Sequence, residues 1–340
     1  MLKKSVTIKE IAQKLDLSVS TISRALHDHP SISATTRLKV KQIAKELHYE
    51  PNQAAIHFQK GKTFTIGVIL PKLSETFFAE ALSAIEDIAY RRGYTILLGQ
   101  SHDNEEKEKL LAEKMRAHRV EGLIVSLAKN TTDYSHFEQL RKYHIPVLYF
   151  DRIPPLKNIH HVSCNIETGS TEAVNYLLKQ GHRNIALING PVSLLASKQR
   201  KEGYITALQK NRLKFDPTLV VNCDLTEKGT REALETLMAL KRKPSAIIAF
   251  NDYVSSYAVK QAVNIGLKIN EDICFVSFAN SPINQFMQYP PLASVEQFPA
   301  IQGQKAIDTL LDIINNHNEE EAYYRVVINS ELVEHKNELT

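Results

Sequence analysis

The sequence predicts an all-α helix-turn-helix head followed by an α/β core of two parallel-sheet lobes. Three observations carry this. Helix caps and apolar spacing in the first fifty residues mark three short helices. From residue 65 onward, short apolar runs alternate with amphipathic stretches. Positive charge gathers in the head: residues 1–61 hold ten Lys and Arg against five Asp and Glu, while the rest holds 32 against 33.

In the head, Thr7 with Glu10 three residues later has capping-box spacing and starts a helix. Ile11 and Leu15 share its inner face, and Ala12 is small enough for a second helix to approach. Asp16 occupies a turn where positive φ is needed, which Asp tolerates better than most residues. Leu17 fills the joint, Ser18 caps the next helix, and Ile22 and Ala25 face inward. Val19, Ser20, Thr21, Ser23 and Arg24 are left on the outer face. A short, polar, N-capped helix held at an angle suits a DNA major groove, although on these twenty residues alone an ordinary αα-corner fits as well. Ser33 caps a third helix with Leu38, Val40, Ile43, Ala44 and Leu47 available for packing. Tyr49-Glu50-Pro51-Asn52 then breaks the chain and supplies a further N-cap, Asn52. Residues 53–59 are too few for a stable isolated helix, and beside a basic head they read as a segment that orders on DNA.

Beyond the head, strands are expected at 65–70, 95–99, 122–126, 147–150, 161–164, 184–188, 219–223, 246–250 and 274–278. Helices are expected at 77–92, 105–116, 168–179, 198–210, 226–240 and 254–265. Apolar strands alternating with helices indicate parallel sheets covered on both faces, a doubly wound arrangement. Nine strands exceed one compact unit, and the proline-bearing break at 151–159 marks where a second sheet should begin.

The chemistry of enzymes is missing. None of the twelve glycines forms GxG, so the dinucleotide fingerprint is absent. Gly61-Lys62-Thr63 imitates the end of a phosphate loop, but Ile56 stands at the earlier glycine and no strand precedes it. There is no GxSxG, HExxH or calcium-loop spacing. His160 and His161 are adjacent on a strand and point to opposite faces, so no metal site and no cofactor are expected. Cys164, Cys223 and Cys274 form no CxxC pair, and no apolar run reaches membrane-spanning length. A reduced, cytoplasmic setting without membrane association follows as the expectation.

Val6-Thr7-Ile8-Lys9-Glu10-Ile11-Ala12, Val19-Ser20-Thr21-Ile22-Ser23-Arg24-Ala25-Leu26, Ser33-Ala34-Thr35-Thr36-Arg37 and Tyr49-Glu50-Pro51-Asn52 closely resemble the head of the lactose/galactose-repressor (LacI/GalR) family. Ile66-Gly67-Val68-Ile69-Leu70-Pro71 resembles that family's first core strand. The resemblance implies a repressor that reads a near-palindromic double-stranded operator as a homodimer under control of a small effector, possibly a carbohydrate. It also implies two lobes like those of periplasmic sugar-binding proteins, joined by three crossovers. The expected division is a head at 1–51, a hinge helix and linker at 52–62 and a core at 63–340. Within the core, lobe one takes 63–160 and 293–318, and lobe two takes 161–292 and 319–340. No leucine heptad follows residues 326–333, which favours a dimer over a coiled-coil tetramer.

Residue by residue, the resemblance gives DNA contacts to Thr7, Ser18, Val19, Ser20, Thr21, Ser23 and Arg24, and hinge contacts to Asn52, Ala55 and Phe58. Phe58 stands where a base-wedging Leu is usual, and Asp16 where Gly is usual. For the effector, Asp151 ends the fourth strand, Arg200 matches an arginine that clamps the ligand, and Asn251 and Asp252 match a contacting pair. Phe77 or Phe78 would wall the first lobe. Read without the family, Arg200 is a solvated helix residue and Asp252 a helix cap. Ala279 and Asn280 replace an aspartate frequent in the family, Cys164 or Asn165 stands where Asp is frequent after the interlobe strand, and Leu225 stands where some members have an aromatic. Each change removes a sugar-favouring group.

Overall fold

The computed structural model describes residues 6–50, 62–316 and 322–335. They fall into two compact units, one ending at Thr63 and one beginning at Phe64.

The head comprises α1 (Ile8–Leu15), α2 (Val19–Leu26) and α3 (Ala34–Glu46). Thr7 N–H donates to Glu10 Oε2 at 2.8 Å, the return half of the capping box. Asp16 takes the left-handed conformation, φ 51°, and its N–H bonds back to the carbonyls of Ala12 and Gln13. That closes α1 and sets the elbow. Ser18 and Ser33 accept from Thr21 N and Thr36 N at 3.1 and 3.2 Å, capping α2 and α3. Ile11, Ala12, Ile22, Ala25, Val40 and Ala44 form the buried core. Leu38, expected to pack, is 71% exposed. At 100° per residue it lies about 200° from Val40, on the opposite face of α3.

The second unit holds two six-stranded sheets. Its elements are β1 (Thr65–Leu70), α4 (Thr76–Arg91), β2 (Thr95–Gln100), α5 (Glu105–Ala117), β3 (Gly122–Val125), α6 (Ser135–Arg141), β4 (Val147–Phe150) and β5 (His160–Cys164). There follow α7 (Ile166–Lys179), β6 (Ile185–Asn189), α8 (Leu195–Lys210), β7 (Val220–Asn222), α9 (Glu227–Met238), β8 (Ala246–Ala249), α10 (Asp252–Asn264) and β9 (Cys274–Phe278). Last come β10 (Ala293–Glu296), α11 (Pro299–Asn316), β11 (Arg325–Ile328) and β12 (Glu331–Glu334).

The first sheet runs β11-β5-β4-β3-β1-β2 and the second β12-β10-β9-β8-β6-β7. All pairs are parallel except β12 against β10. Apolar side chains of both sheets are buried on two faces, hence the continuous rather than alternating pattern of the strands. Gly203 and Gly303 let helices close up. A Cβ there would lie 2.2 Å from the Glu167 carbonyl oxygen and 2.3 Å from that of Ala81, so α7 meets α8, and α4 meets α11, backbone to backbone.

The strand pairing moves the lobe boundaries. His160–Cys164 bonds to β4 and to β11, so it belongs to the first sheet rather than opening the second. The break at 151–159 is a loop within one sheet. Ala293–Glu296 pairs with β9 and so belongs to the second sheet, while α11 packs under the first. The tail divides, with β11 in the first sheet and β12 in the second. The chain thus passes between lobes three times, after β5, after β10 and after β11.

Candidate functional sites in the head and between the lobes

The outer face of α2 carries the residues expected to read DNA. Thr7, Ser18, Val19, Ser20 and Arg24 are exposed, and Thr21 and Ser23 are half-buried. Val19 is 41% exposed, held outward because Ile22 and Ala25 take the buried face of the same helix. Ser18 Oγ lies 2.8 Å from both Ser20 Oγ and Thr21 Oγ1, a hydroxyl cluster at the helix N-terminus. Asn52, Ala55 and Phe58 lie outside the described residues.

Between the lobes, Arg200 on α8 is 3% exposed. Its guanidinium carbon sits 3.9 Å from the Phe250 ring centroid and 4.3 Å from that of Phe278. Nη1 donates to the Ala196 carbonyl at 3.2 Å, while the buried Nε has no partner among the described residues. Burial pulls the Arg200 pKa from 12.5 down to about 9, and the negative charge of Asp151 opposes that pull. A solvated helix position is therefore excluded for this side chain. It is an inward-facing cation clasped by two rings, with donor capacity to spare.

Asp151 follows β4 in the left-handed region, φ 57°, half-buried. Burial pushes its carboxyl from 3.8 up to about 6, against the opposing charges of Arg152 and Arg200. Next to it, Arg152 pairs with Asp103 at 2.5 Å and lies 5.4 Å from the Phe78 ring centroid. Phe78 is itself a core residue, 2% exposed, meeting Phe150 edge-on. Phe77 is the half-buried member of the pair. Of the two, only Phe77 keeps exposed ring surface, while Phe78 is a core residue beside the Arg152 guanidinium.

Asn251 caps α10, its Oδ1 accepting from Val254 N at 2.9 Å. Asp252 is buried, and protein groups engage both its oxygens. Ser277 Oγ and Ser294 Oγ bond to Oδ1, and Ser281 N donates to Oδ2 at 2.6 Å. Asp252 ties α10 to β9 and β10 through both its oxygens. Asn280, φ 53°, donates to Glu296 Oε2 at 2.9 Å. Arg200 and Asp151 converge with Phe250 and Phe278, whereas Asp252 sits inside the second lobe.

The sequence reading missed the bonds that join the lobes. Tyr253 Oη donates to the Ser74 carbonyl at 2.8 Å, and Lys129 Nζ to the Asp224 carbonyl at 2.8 Å. Ser193 Oγ donates to the Lys129 carbonyl. Lys129 is held in turn by its own N–H on Asp103 Oδ1 at 3.0 Å. Asp103 also takes Arg152, so one carboxylate connects the cleft to the bridge. Arg152, adjacent to Asp151, could have been suspected; nothing local marks Lys129 or Asp224. His160 is buried, its Nδ1 accepting from Tyr324 N–H at 3.2 Å, and His161 is half-buried on the other face.

This head and two-lobed core have counterparts. Residues 7–52 match the family model described as bacterial regulatory proteins, lacI family. Residues 63–336 match that of periplasmic binding proteins and the sugar-binding domain of the LacI family. The chain belongs to the LacI family. Among relatives, catabolite control protein A of Priestia megaterium is 33% identical over 294 residues, 86% of this chain and 88% of that protein. The transcriptional repressor CytR of Escherichia coli K12 is 30% identical over 308 residues, 91% of this chain and 89% of that one. Of solved structures, the lac repressor dimer bound to operator and the anti-inducer ONPF superposes with a TM-score of 0.84 at 24% identity, covering 99% of this chain and 100% of that one. No helix among the described residues is long and apolar enough to cross a membrane. The LacI family accounts for both units, and Asp16 at the elbow shows how this member forms the turn without glycine.

Proposed function

We propose that this LacI-family protein is a cytoplasmic, non-enzymatic transcriptional repressor. As a homodimer it reads a near-palindromic operator, and a small ligand, a sugar or sugar derivative, controls it from the cleft. The observation that carries the reading is Arg200, a buried arginine clasped by Phe250 and Phe278 with an unused donor, facing Asp151 from the other lobe. A guanidinium fork opposite a carboxylate suits vicinal hydroxyls, which accept from one and donate to the other. Aromatic faces suit the apolar side of a sugar ring.

Control follows from linkage. A ligand bonded to both lobes favours the closed arrangement by its differential affinity for that state. Arg152, Asp103 and Lys129 transmit displacement in the cleft to the bonds between lobes. Val19 and Ser20 would read bases, Thr21 and Ser23 would bond phosphates, and Arg24 would reach either. Two operator-bound titrations test the proposal. Fluorescence anisotropy of an operator duplex selected from random DNA is measured against a panel of sugars, for wild type and Arg200→Ala. Ligand-dependent operator affinity in wild type, lost in the variant with DNA binding retained, is expected. No response in wild type to any sugar, nucleoside or phosphosugar would remove the effector half of the proposal.

A further inference from the structure

The second lobe carries another concave site at the far end of the helix that bears Arg200. Ten residues of α8 separate Arg200 from Lys210, about 15 Å along the axis. Near that end Leu208, Leu213, Phe215, Leu219 and Leu240, with Tyr204 beneath, line a half-open groove of about 670 Å³. Its floor is fixed. Tyr204 is fully buried, its hydroxyl bonded to the Ile185 carbonyl at 2.8 Å, and Phe215 meets it edge-on at 6.3 Å.

The rim is cationic. Arg183, Lys214, Lys241 and Arg242 border the groove and are exposed, and Asp216 is the one acidic residue bordering it. Asp216 Oδ1 accepts from Thr218 N and Oγ1 at 2.9 and 2.7 Å, and these bonds with the nearby charge of Lys214 hold its carboxyl below the usual range. Lys214, Lys241 and Arg242 form no ion pair among the described residues. Lys210, Arg212 and Lys243 flank the rim in sequence, in a chain whose positive surplus otherwise lies in the head. A groove whose half-buried walls include Leu213, Phe215 and Leu240 and whose rim is cationic is complementary to a segment with one large apolar side chain between carboxylates.

We propose that this groove docks an acidic peptide segment of a partner protein, anchored by a single aromatic or aliphatic side chain. A phosphate backbone would leave the apolar side chains of the groove unmatched. The apolar anchor supplies affinity, and the rim supplies orientation and association rate. The site is separate from the effector cleft and stands whether or not the cleft binds a sugar.

The test uses the full-length protein and a fluorescein-labelled peptide, acetyl-Glu-Asp-Glu-Phe-Asp-Glu-Asp-amide, followed by anisotropy at low salt. A parallel peptide carries Ser in place of Phe. The protein variants are Lys214→Ala/Lys241→Ala/Arg242→Ala and the charge-retaining Lys214→Arg/Lys241→Arg/Arg242→Lys, both checked by thermal unfolding. The expected result is saturable binding of the Phe peptide that weakens at least tenfold in the alanine variant and at least fivefold for the Ser peptide. The charge-retaining variant should bind within about threefold of wild type. Equal binding by wild type and the alanine variant would place the peptide on the basic head and overturn the proposal. So would equal binding of the Phe and Ser peptides, full competition by random-sequence DNA blocked by the rim substitutions, or self-association that vanishes in the alanine variant while no peptide binds.

Discussion

Replacing Arg200 with Met should stabilise the ligand-free protein while abolishing its response to effector. The fall of the Arg200 pKa from 12.5 to about 9 comes from burial. At about 1.4 kcal/mol per pH unit, this corresponds to roughly 5 kcal/mol of destabilisation of the charged side chain. At pH 7 the group is protonated in both folded and unfolded chains, so the whole penalty is present. Against it stand two ring contacts, with Phe250 and Phe278, worth about 0.5–2 kcal/mol each. Met fills similar volume and regains about 0.3–1.5 kcal/mol per ring through its sulfur. Asp151 loses an opposing charge and ionises less readily. These terms sum to a gain of about 2–7 kcal/mol, which the weakened ionisation of Asp151 reduces; a net gain of about 1–3 kcal/mol is expected, in line with the behaviour of buried charges replaced by apolar groups. At about 2–4 °C per kcal/mol for a domain of this size, the midpoint should rise by roughly 2–12 °C. Differential scanning calorimetry without ligand measures it, and operator anisotropy with and without effector measures the lost response. A variant destabilised by more than about 2 kcal/mol would refute the reasoning, because Arg200 would then hold the core together rather than wait for a ligand.

Asp151→Asn should flatten the pH dependence of stability. The folded-state value, raised from 3.8 to about 6 by burial, adds a loss of stability as pH rises from about 4 to 6, so the variant should lose less than wild type across that range in urea unfolding. Asp252→Ala orphans the Ser281 N–H, while Ser277 and Ser294 keep each other as partners; the loss should be about 1–3 kcal/mol in the same unfolding assay. Lys129→Met removes one charged bond between lobes, so calorimetric effector affinity should fall about fivefold to tenfold, equivalent to roughly 1–1.4 kcal/mol. Val19→Ala should relax base preference at one symmetric operator position by about 1 kcal/mol, and an unchanged selected-site logo would count against its base contact.

The head was legible because its signals are local. A capping box, a serine cap and an aspartate in the left-handed region each act within four residues, and the same atoms make the bonds in the folded head. The strands were legible for a related reason. A run such as Ile66 to Leu70 is buried on both faces, and only apolar side chains survive there. Leu38 failed because apolar character was read without its angle around α3.

Assignment of strands to lobes was not local and could not be read the same way. His160–Cys164 looks like the opening of a new sheet because a proline-bearing loop precedes it, yet its register to β4 and β11 is fixed by backbone bonds to residues 12 and 164 positions away in the chain. The cleft divides along the same line. Asp151 and Arg200 can be named from strand-end position and family register, but whether a carboxylate faces a ligand or the interior depends on its partners. Asp252 sits one residue after a helix cap, where a contacting residue is equally plausible. Ser277, Ser281 and Ser294, between 25 and 42 residues away, bond to its two oxygens and turn it into a structural tie. For the same reason Lys129 escaped notice, since its partner is a main-chain carbonyl, Asp224 O, which any residue could supply. Side chains that recognise side chains leave a trace in composition, whereas side chains that recognise backbone leave none. The bonds between the lobes from Lys129, Ser193 and Tyr253 are all of that second kind.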